Sequence, residues 1–296
     1  MTLRRIWRKM PANHAAANRG YLQAKRSEGM KVGLSGIITP KEWSFAELVR
    51  NAKAAGYECI EVKPLDGSDL SLDTPEATLK DMAKLAADEG IEISSSCGGG
   101  GKPSNLMTDD EDERRAGVET ARQMLRVAKT LGADTILHTL GGRPSPELYY
   151  HVAYANALRS LQDLAPAAED IGVNIGFEYV WNGFLTSPLE VAQFLAQVAS
   201  PRIGFYFDPG NMRIFHHSEH WARICGPFIK KMHAKDFSWE NRVVQWLPLL
   251  EGTVNYPAVM KEVRAAGYDD ALISEVPASI APYEVTAEAI RKIIAM

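Results

Sequence analysis

Cysteine is scarce in this sequence. There are three, Cys59, Cys97 and Cys225, an odd number with no Cys-x-x-Cys spacing. That argues against a disulfide framework and fits a reducing, cytoplasmic setting. No run of 18 apolar residues occurs, so no membrane span is expected. Basic charge is not in excess: the net charge is −4, which argues against a nucleic-acid partner. There is no Gly-x-Gly-x-x-Gly after the first apolar run, the signature a dinucleotide-binding sheet would carry. Low-complexity linkers are absent too, and no repeat is visible beyond an alternation of short and long segments.

What is present suits one large domain. The chain has 296 residues, 46% apolar and 24% charged, a length normal for a single α/β barrel. The charge is uneven. Residues 1–30 carry Arg4, Arg5, Arg8, Lys9, Arg19, Lys25 and Arg26 against one acid, Glu28, so this segment is about +6 and the rest about −10. It has no apolar stretch long enough for a secretory signal. We read residues 1–29 as a basic N-terminal extension and residues 30–296 as the folded domain; a transit peptide would also be basic and poor in acids.

From Met30 onward, short β-branched runs alternate with long amphipathic ones. Strands are expected at Lys31–Ile37, Cys59–Lys63, Ile91–Cys97, Thr135–Thr139, Asn174–Val180, Ile203–Asp208, Ile229–Lys235 and Ala271–Val276. Each is short, apolar and bounded by Gly, Pro or polar residues, as buried parallel strands are. Between them, Ser44 with Glu47 forms a capping box and Gly56 a stop. Thr74-Pro75 opens the next helix with proline at its first position. Helical patterns follow at Asp110–Gly132 and Pro144–Gly172, and after Ser187-Pro188-Leu189-Glu190, a second capping box. The last three lie at about Ser218–Cys225, Tyr256–Gly267 and Thr286–Ile294. Eight βα units in strict alternation predict a single closed (β/α)₈ barrel, a TIM barrel of the α/β class.

Catalytic groups of such barrels sit at the C-terminal ends of strands. There the fifth strand carries Glu178, the sixth Asp208, the seventh His233 and the eighth Glu275. A carboxylate inside an apolar run is unfavourable unless its charge is offset. Any one of the four, taken alone, reads as an ion-paired or satisfied core residue. Several carboxylates on neighbouring strands would repel one another without a cation between them. Three carboxylates and one imidazole suit Mn²⁺, Mg²⁺ or Co²⁺ better than a structural thiolate zinc site.

The stretch from Glu178 through Trp181-Asn182 to Glu190 resembles the sugar phosphate isomerase/epimerase family, whose barrel is xylose isomerase-like. So do Tyr206-Phe207-Asp208-Pro209-Gly210-Asn211, Met232-His233-Ala234-Lys235-Asp236 and Leu250 through Pro257. The resemblance covers about residues 30–296. It implies that Glu178, Asp208, His233 and Glu275 bind one divalent metal and that Glu178 and Glu275 exchange a proton with a ketose or its phosphate. The metal would polarise the substrate carbonyl and stabilise an enediolate, and two bases on opposite faces would invert the carbon between them. A dehydratase acting on a keto-sugar or keto-inositol could use the same residues. A phosphodiester-cleaving relative would need more histidines than the seven present. The chain departs from the ketose 3-epimerases at three positions. Phe184 stands where they have a further glutamate, Trp239 where they have an arginine and Asn211 where they have a histidine.

Further candidates for contact with the carbohydrate are His138, Glu61, Trp181, Asn182, Asn211 and Arg242. Glu61 is expected either to orient ligand or to pair with Lys63, and Lys235 to pair with Asp236. His216 and His217 lie in a polar stretch and read as solvated. Cys97 through Lys102, with four glycines, reads as a flexible mouth loop or as an amide cradle for phosphate. A homodimer or homotetramer is compatible with this reading, and no residue pattern chooses between them.

Overall fold

The computed structural model describes residues 29–296 except 215, 241 and 242. The basic segment and Arg242 therefore lie outside the described residues. Eight parallel strands close into a barrel: β1 (Val32–Ser35), β2 (Cys59–Val62), β3 (Glu92–Cys97), β4 (Thr135–His138), β5 (Asn174–Phe177), β6 (Ile203–Phe207), β7 (Ile229–Ala234) and, last in the ring, β10 (Leu272–Ser274). Closure is made by β1 against β10, Val32 pairing with Leu272 and Gly33 with Ile273. Every expected strand is present, most of them ending one to three residues earlier than the apolar run. Glu178, Asp208 and Glu275 consequently sit just past their strands, while His233 lies inside β7.

The helices form where capping chemistry permits. In α1 (Phe45–Ala54) the capping box is complete: Ser44 Oγ accepts from the Glu47 N–H and the Glu47 carboxylate accepts from the Ser44 N–H. Helix α2 (Glu76–Asp88) differs from expectation, because Pro75 occupies the cap position itself. The Thr74 hydroxyl accepts from the Ser71 N–H instead of capping the helix. Helix α3 (Glu111–Leu131) starts at Asp110, which accepts from two amides, and stops at Gly132 with φ 86°. Helix α4 (Tyr150–Ile171) begins six residues later than Pro144. Pro146 disfavours helical backbone at Ser145, and neither proline has an amide to donate. In α5 (Pro188–Val198) the second box is half made: Ser187 accepts from Glu190, but the Glu190 carboxylate turns to the Thr186 N–H and the Tyr150 hydroxyl.

A short helix α6 (Pro209–Arg213) and helix α7 (Ser218–Cys225) follow β6. An antiparallel hairpin not anticipated from the sequence, β8 (Asp236–Glu240) with β9 (Val243–Leu247), springs from the end of β7. Helices α8 (Tyr256–Ala265) and α9 (Tyr283–Ile294) complete the ring. Inside the barrel Cys59, Cys97, Leu137, Tyr206, Ala271 and Ile273 pack together. Buried Lys231, paired with Asp134 at 2.9 Å and Asp270 at 3.0 Å, fills the N-terminal end. All three cysteines are buried and free. Among the described residues no helix is long and apolar enough to cross a membrane.

Candidate metal centre

Strands β5, β6, β7 and β10 are consecutive around the ring, so residues at their C-terminal tips face one axis. One donor atom each from Glu178, Asp208, His233 and Glu275 lies within 4.8 Å of all the others. Asp208 is held by the turn that follows it. Its Oδ1 accepts from the N–H groups of Gly210 (2.7 Å) and Asn211 (3.1 Å), which caps α6 and leaves Oδ2 facing the centre. Gly210 must be glycine, since a Cβ there would lie 2.5 Å from Lys235 Cγ and 2.8 Å from the Lys235 carbonyl oxygen. Glu178 Oε1 accepts from Asn211 Nδ2 at 2.8 Å, and Trp181 Nε1 donates to the Asn211 carbonyl at 3.0 Å.

His233 is fully buried, and its Nε2 lies 2.9 Å from Glu61 Oε1. Glu61 also accepts from Ser35 (2.8 Å), Ser95 (2.9 Å) and Tyr206 (2.6 Å). Burial opposes ionisation of Glu61, but the imidazole and these hydroxyls outweigh it and hold the carboxyl at about 2. The other ring nitrogen, Nδ1, makes no hydrogen bond, although Glu178 Oε1 and Glu275 Oε1 lie 3.5 and 3.4 Å away. One nitrogen locked to a carboxylate and the other turned toward acidic oxygens is how a metal-ligating histidine is presented. Three carboxylates and an imidazole within this span fit a single hard divalent cation, whose ligand distances are about 2.0–2.6 Å.

Lys235 Nζ lies 3.0 Å from Asp208 Oδ2 and also pairs with Glu275. Burial disfavours the ammonium, but the surrounding Asp208, Glu275 and Glu178 push its pKa up. Burial raises Glu178, and Glu275 beside it adds to the effect. At Glu275 burial is outweighed by His233 and Lys235, and its pKa falls. The expected Lys235–Asp236 pair is not formed. Asp236 instead accepts from the backbone N–H groups of Phe237, Gly252 and Val254 and ties the hairpin to the following loop. A signal for Lys235 was present: it lies two residues after His233, and alternate residues of a strand share a face.

A cavity of about 410 Å³ opens over the centre, walled by Glu178, Glu275, Asn211, Lys63, Trp181 and Trp246. Three of the candidate contacts lie elsewhere. Glu61 is sealed beneath His233 and does not pair with Lys63. His138 is buried, with Nδ1 accepting from the Leu140 N–H at 2.9 Å, while its neighbours Leu137 and Thr139 line the cavity. Asn182 points back to the Gly141 carbonyl at 3.3 Å. A fourth, Arg242, is outside the described residues. Lys102 is tied to Asp73 at 2.7 Å and Gln123 at 3.2 Å, away from the cavity. Two residues of the site were given no role from the sequence: Tyr206, which opens the Asp208 motif and donates to Glu61, and Trp246, which stacks on Trp181 with ring centroids 5.4 Å apart.

Fold and centre together define a (β/α)₈ barrel with an acidic, one-histidine cluster at its C-terminal mouth. Residues 49–295 match the family model described as xylose isomerase-like TIM barrel, and the chain belongs to that family. It is 21% identical over 249 residues to L-ribulose-5-phosphate 3-epimerase UlaE of Shigella flexneri serotype 5b (strain 8401), a match covering 82% of this chain and 85% of that protein. The crystal structure of D-psicose 3-epimerase in the presence of D-fructose superposes with a TM-score of 0.72 at 22% identity, over 90% of this chain and 97% of that one. The crystal structure of the IOLI protein with a bound zinc atom gives 0.73 at 15% identity, over 90% and 98%. These structural likenesses establish the fold.

Proposed function

We propose that the protein is an isomerase or epimerase of a keto-sugar that works with one divalent cation held by Glu178, Asp208, His233 and Glu275. The observation that carries this reading is the convergence of those four donors, from four consecutive strand tips, within 4.8 Å. Two of the named relatives, an epimerase of a ketose and one of a ketose phosphate, support it. A cation bound there would polarise the substrate carbonyl and stabilise the charge that develops when the adjacent C–H bond breaks. Glu178 and Glu275 approach from strands separated by β6 and β7, so one takes the proton and the other returns it on the opposite face. Asp208 and His233 have no proton to exchange in this scheme; Asp208 is held by two amides and His233 by Glu61, which keeps both rigid. Trp181 and Asn211 position the sugar, and Asn211 also orients Glu178. The free, buried cysteines support a reducing compartment such as the cytoplasm.

The test is proton exchange in D₂O with Mn²⁺-loaded protein and a panel of ketoses. Solvent deuterium is expected at the carbon beside the carbonyl, without loss of water, in wild type. Glu275→Gln is expected to lower turnover at least a thousandfold, with circular dichroism unchanged. Full activity of the variant would remove the proton-transfer assignment. An unsaturated, dehydrated product would identify a lyase instead.

A further inference from the structure

The hairpin β8–β9 is a sheet of two strands, separate from the barrel. Two strands alone are marginal in water, and a further strand or a packed face secures them. Strand β8 has that support. Phe237 is fully buried against Trp181, and its carbonyl accepts from the Thr253 N–H at 2.9 Å. Strand β9 has less. None of its five residues is buried, and among the described residues its backbone bonds only to β8. Its outer edge is a row of N–H and C=O groups open to pairing. Proteins blunt such edges with proline, lysine or another charge. Val243-Val244-Gln245-Trp246-Leu247 contains none of these, and the charge-free run continues to Leu250.

Apolar exposure is gathered at the same end of the barrel. Among the described residues, every exposed large apolar side chain except Met296 lies between the C-terminal end of a barrel strand and the first turn of the helix that follows. Trp239, Val243 and Trp246 flank the open edge at 38%, 65% and 40% exposure. Together they leave roughly 300 Å² of apolar surface beside the open backbone, enough to mark a contact surface. The chain as a whole carries −4, so two copies repel at most approaches. The uncharged strand is where they can meet without that repulsion. Its geometry favours the same occupant, because an antiparallel pair of identical strands has two-fold symmetry and β9 is complementary to itself. With the axis at Gln245, Val243 faces the second copy's Leu247, Val244 faces its Trp246, and all five residues are used.

We propose that β9 is a self-docking strand. Two copies of this chain pair β9 edge to edge, antiparallel about a two-fold axis at Gln245, and join their hairpins into one four-stranded sheet beside the two barrel mouths. Trp246 lies on this strand, stacks on Trp181 and walls the cavity, so the pairing also braces one side of the mouth. The contact is smaller than the roughly 800 Å² per partner of a tight complex, so the dimer is reversible, with Kd on the order of micromolar. This inference is independent of the metal reading.

The experiment is sedimentation velocity of the full-length protein from about 1 to 200 µM, a range over which a reversible dimer forms by mass action. Wild type is expected to pass from monomer to dimer. Gln245→Lys sets two ammonium groups opposite each other across the axis, and Gln245→Glu sets two carboxylates there. Each variant is expected to self-associate at least tenfold more weakly, and an equimolar mixture of the two is expected to recover the dimer. In wild type, amide hydrogen exchange is expected to slow at alternate residues of β9 as concentration rises, a readout that needs no variant. Wild type that stays monomeric, or a dimer that persists equally in both charged variants, overturns the proposal. Loss of the dimer in both variants without recovery on mixing overturns the pairing about Gln245. Monomeric wild type with β9 amides already protected assigns the edge to another segment of the same chain and also overturns it.

Discussion

Glu61 and His233 are 172 positions apart in sequence and 2.9 Å apart in space. The bond leaves Nδ1 as the nitrogen turned toward the carboxylates, so Glu61 acts through His233 and not on substrate. Replacing Glu61 by Gln keeps the shape and removes the charge. Mn²⁺ affinity is expected to fall by about 10- to 100-fold, read by calorimetric metal titration; unchanged affinity would leave Glu61 a purely structural residue. His138 offers a different test. Burial lowers its pKa from 6.5 to about 4, and its Nδ1 must stay unprotonated to accept from Leu140. Between those two values the unfolded chain binds more protons than the folded one. The stability His138 contributes is therefore complete above about pH 6.5 and is lost as pH falls toward 4, at up to about 1.4 kcal/mol per pH unit. His138→Asn keeps an acceptor and removes the titration. Its urea midpoint is expected to fall less steeply over that range than that of wild type, and parallel slopes would contradict the assignment.

At the scale of elements, caps decide where helices begin. Asp110 accepts from the amides of Asp112 (2.9 Å) and Glu113 (3.0 Å). Asp110→Ala is expected to destabilise the fold by about 1 kcal/mol in urea denaturation while leaving metal affinity intact, because α3 contributes no ligand. The eight barrel strands and most helices were legible from apolar runs bounded by breakers, since burial on both faces leaves a continuous apolar signature. Their ends were less so: β5 ends at Phe177 and β6 at Phe207, although the expected strands run to Val180 and Asp208. Hairpin β8–β9 was invisible. No Asn-Gly, Asp-Gly or other glycine-containing pair occurs between Asp236 and Leu247 to signal a hairpin, and β9 is largely exposed, with no buried residue in it. Yet this hairpin supplies Trp246 and Phe237, which pack on Trp181 and shape the mouth.

For the whole molecule, the four donors belong to one site only while the barrel is closed. A cation that binds the folded state alone stabilises it by mass action, by about 2.7 kcal/mol when free metal exceeds Kd a hundredfold. Thermal unfolding is expected at higher temperature with Mn²⁺ than after chelation, and the shift is expected to vanish in Asp208→Asn combined with His233→Gln. Identical melting with and without metal would count against the centre. The order of the eight barrel strands, the barrel class and the acidic and histidine residues at the last four strand tips were determined by the sequence alone. Those properties are local, written in hydrophobic period and in residue type at the end of each run. Only the tertiary structure put Glu61 beneath His233 and Lys235 between Asp208 and Glu275. Each of these depends on the register in which distant strands meet when β1 closes on β10, a long-range geometry that no local pattern encodes.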